Sequence, residues 1–390
     1  MDFDFDKIND RKNGNSLKWD VKENVLPMWV ADMDFKTAPC VIDAIENVVN
    51  KGIFGYSYVT DEYYDAIINW RKRRYNQIIQ KDWIIFTTGV IAAISSIVRR
   101  LTHPNENVLV LTPIYNTFFN SIVNNGARAL ECKMTYKNHK YSIDYQDLQK
   151  KLANPQTTLM ILCNPHNPTG NIWNKTTLAK IGKMCKDNNV TVISDEIHCD
   201  LLDPGYTFTP FANVNKTCKD ISITCMSPSK SFNLAGLQGA CVIIPNKKLF
   251  NLVNRGLNND EVAEPNAFTI AATIASYNKG EKWLDSLREY LANNKQIVYD
   301  YIKKNIKELY VLKSHATYLL WIDISKVCSD SDMFTKFLIE KTGLYISSGN
   351  NYKGNGFIRM NIACPKNMVL DGLNRLKKGI ELYKKEFLKK

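Results

Sequence analysis

Leu159-Met160-Ile161-Leu162-Cys163-Asn164-Pro165-His166-Asn167-Pro168-Thr169-Gly170 decides the architecture. Five successive apolar residues suit a strand buried on both faces, and the Asn, Pro and Gly that follow at once mark the turn that ends it. The same texture recurs at 83–87, 108–111, 190–194, 221–225 and 241–244, with spacers long enough for crossover helices. Runs this short can also be buried helix segments, because periodicity alone does not arbitrate them; their regular alternation with helical spacers favours strands. The expectation is an α/β domain with a large, mostly parallel sheet.

After residue 280 the texture changes. Lysine-rich helical stretches at 282–307, 331–342 and 367–389 frame short strands near 317–324 and 356–361, which predicts a smaller α+β domain. The first 45 residues show no strand and helix alternation and are expected to dock onto it. That divides the chain into a large domain at 46–284 and a small one made of 1–45 plus 285–390. No Gly/Ser linker, low-complexity block or fixed-period repeat separates the two. The densest basic cluster, Trp70-Arg71-Lys72-Arg73-Arg74, continues a helical pattern that begins near Asp61. It reads as a solvated or salt-bridged helix face, since no nucleic-acid recognition motif accompanies it.

With 390 residues, 45% hydrophobic and 23% charged, the chain can bury a large core and lacks the composition of a disordered one. Its 51 Lys and Arg against 39 Asp and Glu give a formal charge of +12, which favours anionic ligands without choosing among them. No run reaches the roughly 20 apolar residues of a membrane helix. The opening, Met1-Asp2-Phe3-Asp4-Phe5-Asp6, is acidic where a secretory signal is basic, so a cytoplasmic location is expected. No two of the ten cysteines stand in a C-x-x-C pair, and no metal site is expected.

The chain has no G-x-G-x-x-G after a strand, no Walker motif, no H-E-x-x-H and no G-x-S-x-G. It carries instead an ordered set: Thr88-Gly89-Val90, then 164–170, then Ser194-Asp195-Glu196-Ile197-His198, then Ser227-Pro228-Ser229-Lys230-Ser231-Phe232, then Phe357-Ile358-Arg359-Met360-Asn361. Nearly every member follows an expected strand, where the edge of a parallel sheet places its ligand site. Each suits a phosphorylated aromatic aldehyde. Lys230 could form a Schiff base once its amine is desolvated. Asp195 could pair with a protonated ring nitrogen, and Asn167 could donate to a ring oxygen. Gly89 opens a helix at Val90 and Ile91 whose free N–H groups suit a phosphate, assisted by Ser227 and Ser229. Tyr115 could stack on the ring. Taken singly, each residue has a plainer explanation as a cap, a turn or packing, so the order of the set carries the argument.

In these residues the sequence resembles the fold-type I pyridoxal 5′-phosphate (PLP) enzymes, the aspartate aminotransferase superfamily, over essentially its whole length. Pro27-Met28-Trp29-Val30-Ala31-Asp32-Met33-Asp34-Phe35, Phe54-Gly55-Tyr56-Ser57, 194–198 and 229–233 resemble its MalY/PatB branch of cystathionine β-lyases (C–S β-lyases). The resemblance implies that Lys230 holds PLP and moves the substrate α-proton, with Asp195 on the ring nitrogen, Asn167 on the ring oxygen and Tyr115 over the ring. It implies that Arg359 grips the substrate α-carboxylate in a pocket shared with Ala31 and Asn167. Tyr56 would reach the cofactor phosphate of a neighbouring subunit, which requires a homodimer.

Two departures from the broader superfamily stand out. Gln238 occupies the place, eight residues after the lysine, where many members carry a phosphate-binding arginine, and His198 stands where many place a tyrosine. The implied activity is release of a thiol, pyruvate and ammonia from cystathionine or a related cysteine S-conjugate. An aminotransferase with an α-keto acid acceptor shares every early step. A weakly catalytic PLP-binding regulatory protein is the reading of a different class. Membrane and nucleic-acid partners are not expected.

Overall fold

The apolar runs become neighbouring strands of one sheet because each has both faces to cover. In the computed structural model, which describes residues 3–388, seven strands form it: β1 (Ile84–Thr87), β2 (Asn107–Thr112), β3 (Arg128–Lys133), β4 (Thr157–Cys163), β5 (Thr191–Asp195), β6 (Ser222–Met226) and β7 (Ala240–Ile243). Met1 and Asp2 of the acidic opening and Lys389 of the last helical stretch lie outside the described residues. The order is β1-β7-β6-β5-β4-β2-β3, parallel except that β7 runs antiparallel to both neighbours. β3 was not expected from sequence. It is an edge strand, Arg128-Ala129-Leu130-Glu131-Cys132-Lys133, with both ends exposed, so it lacks the continuous apolar run that a central strand needs.

The helices that matter for the site are α1 (Pro39–Val49), α2 (Asp61–Tyr75), α3 (Val90–Leu101), α4 (Lys175–Asp187), α5 (Thr269–Lys279), α6 (Glu281–Asn305), α7 (Ser331–Thr342) and α8 (Lys366–Tyr383). Strand β2 shows how the layers form. Val108 and Val110 pack with Ile94 and Ile97 of α3, while Leu109 and Leu111 pack with Leu178 and Ile181 of α4 on the other face. Alternate residues thus feed two separate cores, as the two-residue period of a strand requires. No helix among the described residues is long and apolar enough to cross a membrane.

A second sheet lies beyond: β8 (Tyr310–Val311), β9 (Leu319–Asp323), β10 (Ser347–Ser348) and β11 (Phe357–Asn361), antiparallel in the order β8-β9-β11-β10. The N-terminal segment joins this region. Leu26–Pro27 pairs parallel with Leu344–Tyr345, and the Asn361 N–H donates to the Met28 carbonyl at 2.9 Å. The approach depends on Gly343, which ends α7 at φ 68° and whose absent Cβ would stand 2.3 Å from the Asn24 carbonyl oxygen.

The basic cluster in α2 is salt-bridged, as expected, at Arg73 and Arg74, but it is not one surface face. Arg73 and Arg74 pair with Glu281 and Asp285, but Arg71 is fully buried and pairs with Glu196 at 2.7 Å. The tertiary fold, not the helix pattern, chose which arginine turned inward.

Candidate active site

The ends of β4, β5 and β6 and the N-terminus of α3 enclose one cavity of about 820 Å³ including its open mouth. Gly89, Val90 and Ile91 form one wall, and Tyr115 and Asn167 contribute to another. Asp195, His198, Ser227, Ser229 and Lys230 complete the lining together with Ala31, which arrives from the N-terminal segment. Arg359 on β11 reaches the cavity through Asn167. Tyr56 does not line it: the residue is fully exposed, with Ile53, Phe54 and Tyr58 also exposed around it.

Lys230 follows β6 in the turn 227–234, where the Phe232 N–H donates to the Pro228 carbonyl at 2.8 Å. Its Nζ donates to the Ala31 carbonyl at 2.8 Å. Desolvation, then the positive charge of Arg359, pushes the amine down to about 8, against the opposing pull of Asp32 and Asp195. A lysine so placed has a usable neutral fraction near neutral pH. His198 is driven down to about 3 by burial, then by Lys230 and Arg359, so it stays uncharged, and its Nδ1 is buried without a partner.

Asp195, the last residue of β5, has its register partners in Cys163 and Cys225. Its carboxylate accepts the Ile197 N–H at 3.1 Å. Burial raises it to about 7, the backbone bond opposing and Glu196 adding to the rise. Glu196 points the other way. It takes Arg71 on Oε2 at 2.7 Å, and Ser194 Oγ and the Phe211 N–H on Oε1 at 3.1 and 3.0 Å. Asp195 is thus held by the chain on both sides while its own carboxylate faces the cavity with little compensation.

Arg359 Nη1 donates to Asn167 Oδ1 at 3.2 Å and Nη2 to the Trp29 carbonyl at 2.9 Å, while Nε is buried with no partner. The guanidinium lies 4.6 Å from the centre of the Tyr352 ring. Because Asn167 spends its oxygen on Arg359, its NH₂ end remains as a donor toward the cavity. At the opposite wall the Ala93 N–H is the first of α3 to bond back, to the Gly89 carbonyl, so the N–H groups of Val90, Ile91 and Ala92 have no intrahelical acceptor. A Cβ added at Gly89 would meet nothing within 4 Å. Ser227 Oγ donates to the Gly239 carbonyl at 2.6 Å and accepts the Ser229 N–H at 3.0 Å, so Ser227 shapes the turn. Gln238 lines the same end in a left-handed conformation at φ 50°. Among the described residues that line the cavity, Lys230 is the sole cationic side chain.

Sequence reading missed three contributors. Tyr318 donates its hydroxyl to the Ala31 carbonyl, Tyr352 supports Arg359, and Cys163 lines the cavity. None carries a motif, and backbone carbonyls such as those of Trp29 and Ala31 have no residue code at all. The one available signal was their place inside or beside the expected strands.

This fold agrees with the comparisons. Residues 23–376 match the family described as aminotransferase class I and II, and the chain belongs to that family. It is 36% identical to cystathionine β-lyase PatB of Bacillus subtilis strain 168, over 96% of this chain and 99% of that protein. To protein MalY of Escherichia coli K12 it is 32% identical, over 95% and 97%. The crystal structure of cystalysin from Treponema denticola, which contains a PLP cofactor, superposes with a TM-score of 0.94 at 33% identity, covering 98% of this chain and 99% of that one.

Proposed function

We propose that the protein is a PLP-dependent C–S β-lyase that converts cystathionine, or a related cysteine S-conjugate, to a thiol (homocysteine from cystathionine), pyruvate and ammonia. The observation that carries this reading is an amine pushed down to about 8 and a carboxylate raised to about 7 lining one cavity, beside a buried arginine with an unpartnered Nε. The names of the PatB relative and the cystalysin structure support it.

The residues fit the cofactor. A buried carboxylate with one backbone donor is a ready partner for a protonated ring nitrogen, and three free N–H groups at a helix start suit a phosphate. With no arginine in the lining, that helix end would hold the phosphate together with Ser229 and Gln238. When bound, PLP supplies an electron sink next to the substrate α-carbon. Lys230 is the residue that would hold the cofactor, and its Nζ, whose basicity burial lowers, would move the substrate α-proton. Arg359 holds the α-carboxylate by a two-pronged bond for which its planar group is suited. Asn167 gives its oxygen to Arg359, and its NH₂ would be free to donate to the ring oxygen. Tyr115 would cover the ring, and neutral His198 would add no charge beside it.

On the same reading the protein is a cytoplasmic homodimer. The exposed Ile53, Phe54, Tyr56 and Tyr58 would be covered by the second copy, and Tyr56 would reach its phosphate. The chain divides into 46–284 and 1–45 plus 285–390.

The test is pyruvate and free thiol formation from L-cystathionine, with and without an α-keto acid. Keto-acid-independent release of both is expected. Amino-group exchange that requires the keto acid, without thiol, would make the protein an aminotransferase.

A further inference from the structure

Two donors share one carbonyl at the centre of this site. The Ala31 oxygen accepts Lys230 Nζ at 2.8 Å and the Tyr318 hydroxyl at 3.0 Å. The arrangement is built. Asn361 Nδ2 lies 2.5 Å from the Val30 carbonyl and 2.6 Å from that of Asp32, so the carbonyls on either side of Ala31 are drawn to one amide. The carbonyl between them is left to Lys230 and Tyr318. Tyr318 itself is fully buried on the chain leading into β9, and burial holds its phenol far above the ordinary range, so it remains a donor.

A carbonyl oxygen has two lone pairs and both are used here. Condensation of an amine with an aldehyde forms one C=N bond, releases one water and leaves the nitrogen at most one N–H. Bonding a cofactor would thus take Lys230 from up to three N–H donors to one or none, so Ala31 can lose this donor. Without a second donor the carbonyl would then stand unpaired in a filled site, at the cost that attends any buried acceptor.

We propose that Tyr318 is a positioning residue that keeps the Ala31 carbonyl satisfied, so that Lys230 can leave it and return to it as the lysine alternates between its bonded and free forms. The proposal rests on Lys230 being the cofactor-bonding lysine. Tyr318 also competes for the oxygen that would otherwise favour the ammonium form of Lys230. The charges facing that amine are Arg359, Asp32 and Asp195, with uncharged His198 beside them.

Tyr318→Phe keeps the ring and removes the donor. In cofactor-free protein, competitive acetylation read at the Lys230 peptide by mass spectrometry should show its apparent pKa rising by about half a unit. The PLP dissociation constant should rise about tenfold, because bonding now strands the carbonyl. Tyr318→Met removes the same hydroxyl with a side chain that adapts to a loosened core, and should move both quantities the same way. A Lys230 titration and a PLP affinity both unchanged in these variants, whatever happens to their melting temperatures, would overturn the role. The underlying reading fails separately: Lys230→Ala that keeps the absorbance of lysine-bound PLP would overturn that instead.

Discussion

Asp195 and Glu196 are consecutive acids with opposite surroundings. Glu196 lies on the helix side of the β5 end, where an arginine, a hydroxyl and a backbone N–H meet its two oxygens. Asp195 lies on the cavity side with one backbone N–H and thiol-bearing neighbours on both flanking strands. The first is finished within the chain, and the second has a single backbone partner. Burying a charge is tolerated structurally only when it is fully paired, so the unfinished one marks the chemistry. Arg359 is intermediate: two acceptors, one aromatic face and an unpartnered Nε.

The largest expected effect breaks the finished side. Glu196→Gln leaves Arg71 buried and unpaired, and denaturant unfolding should show a loss of about 3–5 kcal/mol. Replacing both partners, as in Arg71→Met with Glu196→Leu, should recover most of it; no recovery would mean that the pair does more than neutralise itself.

The unfinished side should respond in the opposite sense. Asp195 binds its proton more tightly folded, at about 7, than its ordinary value of 3.8. The folded cofactor-free protein therefore holds the extra proton between roughly pH 4 and 7, and this group's contribution to stability falls as pH rises through that window. His198, lowered to about 3, works against it by favouring the folded state as pH rises toward 6.5. The difference between wild type and Asp195→Asn removes the histidine contribution. It should show the variant gaining up to about 4 kcal/mol relative to wild type from pH 4 to 7, and a flat difference would place a cation or water against Asp195.

The smallest effect concerns the intermediate case. Tyr352→Leu withdraws the ring from Arg359 and should raise KM about threefold to tenfold with kcat nearly unchanged, on the scale of a partly desolvated cation–π contact. A fall in kcat at constant KM would move Tyr352 from binding to chemistry.

The contrast also explains what was legible in the sequence. Asp195, Lys230 and Asn167 could be read because each follows an apolar run closely, and the sheet itself brings strand ends together. The boundaries of α7 were read correctly, with Asp330 capping its start by accepting the Asp332 and Met333 N–H groups. Edge strand β3 escaped because its ends are exposed and its middle is mostly half-buried, which breaks the apolar run. The inward turn of Arg71 escaped because nothing in α2 distinguishes it from Arg73 or Arg74 until Glu196 is in place. Tyr318 and the Ala31 carbonyl escaped for a deeper reason: their contact joins residues 287 positions apart through a backbone atom.

That separation sets an order of events as the chain is made. Trp29 to Asp32 are made about three hundred residues before the groups that fix their carbonyls, Tyr318, Ser347, Arg359 and Asn361. The seven-stranded sheet has all its strands once Ile243 has emerged, with Lys230 already at its edge. The lysine's resting acceptor cannot be set until more than a hundred further residues have been added. A nascent chain can thus own Lys230 long before it owns the place where that lysine rests, and the arrangement is complete only once Asn361 has been added.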